Sequence, residues 1–545
     1  MSRNTATCLV QLAQPSGVEL NAHLVLDEKP TRQDQKLKTL SKYVQQYPTG
    51  WKKRWELADL LYAMGRWSQA VEEYCQVLER QPRLIDVRLQ LGKILHLMGR
   101  EAEAIAVYET ALFLCRHVAT RHHLGGLIAV CRRCLQKAAK EFESAASLKP
   151  DNGAHWHALG QVHLETESPV AALRAFDVVL SINPDDLVAL IHSYDARLAV
   201  GQFQSARRQL SRARELAPAD FRTVKRLADH RCRMRLVTGE EGKQTRQMIK
   251  AALRLAPDAA DAHESLAYYH IFRGEWAKGV GVLQQFTEEH PNNPSGWYYY
   301  ARCLFHTGEN QAAAEGILKA YCLFPNDCEI YRTLCEILPT AGMTSPHAPL
   351  LQRKGGNATP ASIVKEMLER FPERWSVWAT AGRLLVESFQ DIERGCRVSA
   401  KGTQLQPHLA DAWFRHGRVL ALAGKHREAV EVLEKGWQLL PKEGGYLQSV
   451  PAAVWLGESY RVLGDDAASQ RRWEEASQRA KELMEFDQAT AHYWQGRALS
   501  GLGEWLGAME AYRTALSQQL LYPARGEVQS ALKQLPTMVR KGSPP

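Results

Sequence analysis

The feature that most restricts the fold of this chain is a 34-residue period in its centre. The blocks 151–184 and 185–218 each contain two stretches with helical spacing of apolar residues, and each block ends in a proline. Proline cannot continue a helix, so its regular return marks the same structural boundary several times. Most steps along the whole proline series are 34 residues or twice that, from Pro48 to Pro441. Such a period is typical of small helical units that stack on one another.

Residue types within one period narrow the choice of repeat. Trp156, Leu159 and Gly160 stand in the first helical stretch, and Ala172 and Phe176 stand in the second. The order W-x2-L-G, A-x3-F and P resembles the tetratricopeptide repeat (TPR) family. The resemblance implies an all-α TPR solenoid, a right-handed superhelix of stacked helix–turn–helix repeats. It also implies a concave face that is lined by the first helix of each pair.

Departures from the period divide the chain into five regions. We expect an irregular N-terminal lead-in at 1–31, an N-terminal array at 32–338, a Pro- and Gly-rich loop at 339–360, a C-terminal array at 361–520, and a capping helix with a disordered tail at 521–545. Twelve to thirteen repeats fit into this scheme, after a single helix over 34–47. A 39-residue step after Pro218 predicts about five extra residues near 238–242. The sequence leaves open whether the loop is a hinge or a contact site.

Composition sets broad limits on the class of protein. The chain is 45% hydrophobic and 24% charged, as in folded globular proteins, and it has no apolar run long enough to span a membrane. Its first residues lack the apolar stretch of a secretory signal. The eleven cysteines are mostly placed inside helical stretches, which favours reduced thiols. We therefore expect a cytoplasmic protein without membrane insertion.

Motifs for catalysis or cofactor binding are absent from the sequence. It contains no phosphate-binding glycine loop, no Rossmann fingerprint, no zinc-protease motif and no nucleophile elbow. Cys131 and Cys134 form a C-x-x-C, but no second pair stands at a matching distance, and His155 and His157 are interpreted as ordinary helix residues. We expect neither an enzyme, nor a cofactor, nor a metal.

Candidate binding residues follow from the family's groove positions, which the resemblance places at five positions of each first helix. Three repeats have an aromatic residue at the fifth position and an arginine one turn later, on the same side of the helix. Arginine suits carboxylates and carbonyl oxygens, and aromatic rings are rigid anchors. The predicted peptide-binding groove comprises Tyr298, Arg302, Phe305, His306, Arg383, Phe414, Arg418, Tyr493 and Arg497.

The opposite interpretation of the groove residues is that arginines merely cover aromatic rings by stacking. The first full repeat has Trp55 and Asp59 at its fifth and ninth positions. That departs from the Lys and Asn pattern with which carboxylate-clamp members of the family bind chaperone C-termini. A co-chaperone role is therefore not expected.

Charge supplies a second candidate surface, which we call the basic belt, between Ala206 and Arg254. It contains fourteen basic and five acidic residues, and the difference equals the net charge of +9 of the whole chain. Nucleic acid, an acidic protein or anionic lipid would each suit such a segment. The residues most suited to contact are Arg222, Lys225, Arg226 and Arg233.

The sequence thus favours a non-catalytic scaffold or adaptor that binds a partner protein or an acidic peptide segment in the concave groove. One alternative is a nucleic-acid-binding helical-repeat protein that uses the basic belt. Another is an accessory subunit that positions a separate enzyme. The identity of the partner, the pathway and the oligomeric state do not follow from the sequence.

Overall fold

The computed structural model describes residues 32–64, 66–98, 100–341, 360–440, 446–484 and 487–541. These residues form 28 α-helices and contain no β-strand. The first eighteen are α1 (Arg32–Gln46), α2 (Trp51–Ala63), α3 (Trp67–Arg80), α4 (Ile85–Leu97), α5 (Glu101–Leu114), α6 (Val118–Cys131), α7 (Leu135–Leu148), α8 (Gly153–Glu165), α9 (Pro169–Ile182), α10 (Leu187–Ala199), α11 (Phe203–Leu216), α12 (Phe221–Arg233), α13 (Gly239–Leu255), α14 (Ala260–Phe272), α15 (Trp276–Glu289), α16 (Pro294–Thr307), α17 (Asn310–Leu323) and α18 (Cys328–Thr340).

The remaining ten helices follow the gap at 342–359 in the described residues. They are α19 (Pro360–Arg370), α20 (Trp375–Glu387), α21 (Ile392–Leu405), α22 (Ala410–Leu422), α23 (His426–Gln438), α24 (Tyr446–Val462), α25 (Asp466–Leu483), α26 (Gln488–Leu502), α27 (Trp505–Ser517) and α28 (Ala524–Lys541). Helices α2 to α27 form thirteen antiparallel pairs, with α1 before them and α28 after them. The predicted all-α solenoid is confirmed.

Turns between paired helices need a residue with positive φ, and glycine usually supplies it. Six of the eight predicted turn glycines do so, with φ between 74° and 90°, namely Gly201, Gly274, Gly308, Gly424, Gly464 and Gly503. Gly65 and Gly99 lie outside the described residues. In other pairs Arg133, Glu167 and Arg235 adopt the same conformation, which is less favourable for a side chain.

A contact between a small and a large residue joins the helices of a pair. In α8, a Cβ atom added to Gly160 would stand 2.6 Å from the ring of Phe176 in α9. The same clash would occur between Gly126 and Phe142 and between Gly92 and Tyr108. The ring of Phe176 is fully buried. The glycine that the sequence pattern singles out therefore provides the space into which the next helix packs.

Irregular repeats are accommodated within helices rather than in separate loops. The extra residues near 238–242 lengthen α13 to 17 residues, and α24 and α25 reach 17 and 18 residues. The predicted loop begins later than expected, because α18 continues through Pro339 to Thr340. The rest of that loop up to residue 359 lies outside the described residues, as do residues 1–31 and 542–545.

Successive turns of the superhelix contact one another. Glu167, after α8, accepts hydrogen bonds from the backbone N–H of Ser376 in α20, at 3.1 Å, and from its hydroxyl, although the two residues are 209 positions apart. Farther along, Arg235 donates to the carbonyl oxygen of Gln518 at 3.1 Å, and Trp276 donates to the side chain of Gln519 at 3.1 Å. Hydrogen bonds therefore join successive turns of the superhelix at these two places.

No helix in the described ranges is long and apolar enough to cross a membrane.

Replacing Gly160 by Ala tests the contact between small and large residues. We expect a loss of about 1–3 kcal/mol in unfolding free energy, because the new methyl group overlaps the buried ring of Phe176. Gly281→Ala in α15 is the matched control, since nothing lies within 4 Å of its added Cβ. In a helix interior that control should stabilise by about 0.5–1 kcal/mol. Thermal and urea unfolding measure both, and equal effects of the two variants would contradict the packing.

Candidate functional site: the concave surface and its cavity

Most predicted groove aromatics are largely buried on the concave side. Tyr298, Phe414 and Tyr493 are 6%, 1% and 6% exposed. The guanidinium of Arg302 lies 5.4 Å from the ring centroid of Tyr298, and Arg497 donates a hydrogen bond to the hydroxyl of Tyr493 at 3.4 Å. The predicted proximity of an arginine to the aromatic ring one turn before it is therefore present in two repeats. In the third, Arg418 lies over the ring of Trp455, at 5.4 Å, instead of Phe414.

Each groove arginine is paired with a carboxylate from another first helix. Arg302 of α16 lies 3.2 Å from Glu264 of α14, and Arg383 of α20 lies 2.8 Å from Glu336 of α18. Two more cations, Arg418 of α22 and Arg497 of α26, share Glu458 of α24 between them; the Arg418 contact is 3.7 Å. We call these pairs the inter-repeat ion ladder. It joins neighbouring repeats along the concave wall.

Burial makes the Arg302–Glu264 pair more consequential than a surface ion pair. Arg302 and Glu264 are 9% and 7% exposed. Burial by itself would lower the pKa of Arg302, but Tyr298, Tyr268 and Glu264 raise it well above its ordinary value. At Arg497 burial is likewise outweighed by Glu458 and Tyr493, and the pKa is raised. Both arginines are therefore held in the charged form by their neighbours.

The acidic members of the ladder were not predicted from the sequence. Glu264 stands at the fifth position of its first helix, and Glu336 and Glu458 stand at the ninth. These are the same groove positions that point to the arginines. A comparison of charge at equal positions in successive repeats could therefore have found the pairs.

Phe305 and His306 are covered by Tyr522, in the short segment before α28. The backbone N–H of Tyr522 donates to the carbonyl oxygen of His306 at 3.2 Å, and His306 Nδ1 lies 3.2 Å from the carbonyl oxygen of Tyr522. The ring of Tyr522 meets Phe305 edge-on at 5.3 Å. These two predicted groove residues are thus engaged within the molecule. The role of the nine groove residues in binding a partner stays a prediction.

Several cations of the basic belt are paired with neighbouring acids. Arg226 lies 2.6 Å from Asp195, and Lys225 lies 2.8 Å from Asp229. A third pair joins Arg222 to Asp220 at 2.9 Å.

Arg233 completes the predicted set of belt residues. Burial would raise the pKa of Asp229, but Lys225 and then Arg233 lower it. The belt thus offers less free charge than its composition suggests. Its binding to nucleic acid stays a prediction.

A cavity of about 630 Å³ lies between helix ends of the N-terminal repeats and helix ends of the middle repeats. One wall consists of the start of α3, the C-terminal ends of α4 and α8, and the turn after α6; the other consists of the end of α17 and the starts of α14, α16, α18 and α20. Polar and charged groups from both walls line it, namely Ser68, His96, Arg133, Glu165, Asp258, Asn292, Asn293, Asp327, Glu329 and Arg374. Trp67, Leu164 and Phe324 add apolar surface. The cavity is thus built from repeats that are far apart in sequence.

A row of histidines lies on the concave side of the regular repeats. Nδ1 of His155 lies 3.1 Å from Nδ1 of His123, and the rings of His157 and His192 are 5.1 Å apart. Burial lowers the pKa of His157 to about 3, and burial followed by His155 lowers that of His123 to about 3. The Nε2 atom of His157 is buried and has no hydrogen-bond partner among the described residues. Both rings are therefore neutral at pH 7, as an interior requires.

Cys131 and Cys134 do not form a joint site. Cys131 is buried, burial raises the pKa of its thiol to about 12, and Cys134 is exposed. Within the described part of the chain, no group of three or more His, Cys, Asp or Glu side chains is arranged to hold a metal ion.

Comparison with known proteins adds to this picture. A family model described as tetratricopeptide repeat matches residues 56–117, 132–186 and 265–327. These segments of the chain are tetratricopeptide repeats. Members of TPR families are generally non-catalytic scaffolds.

Two relatives of this TPR protein are similar over part of their length. The Protein CTR9 homolog of Arabidopsis thaliana is 24% identical over 343 residues, which are 56% of this chain and 31% of the relative. The peroxisomal targeting signal receptor of Pichia angusta is 26% identical over 183 residues, which are 33% of this chain and 32% of the relative. The chain therefore matches about a third of the length of each.

Solved structures of other TPR proteins show a distant likeness. Yeast Tom70 has a TM-score of 0.41 and 15% identity, covering 84% of this chain and 98% of its own. The Cut9–Hcn1 hetero-tetramer of APC/C has a TM-score of 0.39 and 12% identity, covering 93% and 96%. YrrB, a TPR protein with an unusual peptide-binding site, has a TM-score of 0.22 and 16% identity, covering 35% and 98%.

The neutral histidines predict a dependence of stability on pH. Their folded pKa lies below the ordinary value of about 6.5, so the unfolded chain takes up protons first as the pH falls. The contribution of the neutral histidines to the unfolding free energy is complete above pH 6.5 and is lost as the pH falls below it. We expect His157→Phe to reduce the slope of unfolding free energy between pH 6.5 and 5 by roughly 1 kcal/mol per pH unit. The exposed His408→Phe is the control; an equal slope in both variants would count against a buried neutral His157.

Proposed function

We propose that this TPR protein is a scaffold or adaptor whose concave cavity holds a segment of a partner protein. The observation that carries the proposal is the cavity of about 630 Å³ between α4, α6, α8 and the starts of α14, α16, α18 and α20. A volume of this size suits a few side chains and the backbone that joins them. Since its walls are fixed by stacked helices, little order has to be created on binding.

The chemistry of the lining favours a peptide over an apolar small molecule. The amide of Asn292 and the hydroxyl of Ser68 suit pairing with backbone groups, whereas the side-chain oxygen of Asn293 already accepts from the backbone N–H of Gly296 at 3.0 Å. Arg133 and Arg374 are two cations that suit an acidic side chain or a terminal carboxylate, although Arg133 also lies 3.4 Å from Glu101 and Arg374 lies 3.8 Å from Glu165. Among the groove residues, Arg383 is the most exposed arginine, with 34% of its side chain accessible. We propose that it contacts the partner outside the cavity.

The compartment is part of the proposal. The ten described cysteines are all free thiols, including the exposed Cys75, Cys134 and Cys322. Free exposed thiols suit a reducing compartment, and we propose the cytoplasm.

Filling the cavity tests the proposal. Ser68→Trp places an indole at the mouth of the cavity, and we expect it to abolish capture of a partner without lowering thermal stability, because Ser68 is exposed. The matched control is Gln204→Trp, at the same position of another second helix and outside the cavity lining. Quantitative affinity purification compares both variants with the unmodified protein.

The informative result is the set of proteins that is captured by the unmodified protein and by Gln204→Trp but lost with Ser68→Trp. A set that survives Ser68→Trp unchanged would show that the partner docks elsewhere.

A further inference from the structure

The N-terminal end of the solenoid has a surface of exposed lysines and two adjacent tyrosines, which we call the lysine–tyrosine face. Between residues 32 and 55 there are seven basic residues and one acidic residue. Arg54 is buried and paired with Glu73 at 2.6 Å. Five exposed lysines remain on the face, namely Lys36, Lys38, Lys42, Lys52 and Lys53. The face lies outside the cavity and the basic belt.

These lysines differ from the cations of the basic belt in their pairing. Lys53 lies 2.8 Å from Glu56 on the protein surface. No ion pair joins Lys36, Lys42 or Lys52 to a carboxylate among the described side chains, and the side chain of Asp34, one turn before Lys38, is not among them. These three lysines thus lack the internal pairing seen for Arg222, Lys225 and Arg226 of the belt.

Two aromatic rings lie on the exposed side of α1, on the same flank as Lys36, while Lys38 and Lys42 lie toward the other flank. Tyr43 and Tyr47 are one helical turn apart on α1, are 41% and 50% exposed, and have ring centroids 4.8 Å apart. At the adjoining start of α2, Lys52 lies 5.6 Å from the ring centroid of Trp51. Free cations beside exposed aromatic rings are the combination that holds the phosphates and bases of single-stranded nucleic acid.

The apolar side of α1 is already used. Leu40 and Val44 are buried and belong to the same hydrophobic core as Leu57 and Leu61 of α2. An amphipathic helix that binds a membrane surface needs that side free to enter the lipid. The exposed side of α1 offers tyrosines and lysines and no large aliphatic group. Anionic membrane is therefore the weaker match.

We propose that the lysine–tyrosine face binds single-stranded nucleic acid without sequence preference. Lys36, Lys38, Lys42 and Lys52 contact phosphates, and bases stack on Tyr43 and Tyr47. Lys36 and Lys42 are separated by about 9 Å along the helix axis, so they reach different phosphates of an extended strand. This function is independent of partner binding in the cavity, because the two surfaces share no residue.

Fluorescence anisotropy with a labelled oligo(dT) of about 12 nucleotides tests the proposal on the full chain. We expect Lys38→Glu/Lys42→Glu to weaken binding at low salt by about tenfold or more. It should also make the slope of log affinity against log salt less negative by about 1.4, since each phosphate contact contributes about 0.7 for a single strand. The matched control is Lys137→Glu/Lys140→Glu on α7, where both lysines are exposed. It should bind like the unmodified protein.

Tyrosine variants separate stacking from charge. Tyr43→Ala/Tyr47→Ala should weaken binding at least about fivefold and leave the salt slope unchanged. Tyr43→Leu/Tyr47→Leu keeps apolar side chains beside Gly50. It replaces the alanine variant in the binding measurement if that variant loses stability in thermal unfolding. The leucine variant should weaken binding as well, because it lacks a ring.

Four results would overturn the proposal. The first is that the unmodified protein does not bind oligo(dT), and the second is that the α7 control loses as much affinity as the α1 variant. The third is that polyglutamate displaces the strand as readily as unlabelled oligo(dT) does. The fourth is that the protein binds phosphatidylserine vesicles more strongly than the strand. Loss of nucleic-acid binding alone leaves capture of a protein partner by the cavity intact, so the two proposals fail separately.

Discussion

Charge pairing between neighbouring first helices holds the concave wall of this solenoid. An arginine that faces the inside of a superhelix loses much of its contact with water, and it stays there only if a carboxylate compensates. Three arginines form ion pairs of this kind, namely Arg302 with Glu264, Arg383 with Glu336, and Arg497 with Glu458. Each pair spans two repeats. The pairs therefore fix the position of one repeat relative to the next on the concave side. The glycine–aromatic contacts act within a repeat and do not reach that side.

This arrangement changes the meaning of the groove residues. From the sequence, an arginine one turn after an aromatic residue indicates a ligand for an acidic peptide. In the folded chain Tyr298 and Tyr493 are buried, and Arg302 and Arg497 are paired with acids of the same molecule. Open space lies instead at the cavity, whose lining includes Arg133 and Arg374. Whether a groove side chain is free to meet a ligand thus depends on what the neighbouring repeats supply.

The fold was predictable because its causes are local. A proline after most second helices, a glycine in most turns and an aromatic ring opposite Gly160 act over fewer than 34 residues, and they recur. The closure of the superhelix was not predictable in this way. Glu167 and Ser376 meet across 209 residues, and their contact depends on small rotations summed over many repeats. The same limit applies to the cavity, whose two walls come from opposite ends of such a turn.

A double-mutant cycle on Arg302 and Glu264 tests most directly whether ion pairs hold the concave wall. Unfolding free energies would be measured for Arg302→Met, Glu264→Met and the double variant. Removing one partner leaves a buried charge, so each single variant should lose about 3–5 kcal/mol. The double variant should lose clearly less than the sum, with a coupling energy of at least about 1 kcal/mol. Losses that add within about 0.3 kcal/mol would contradict the account.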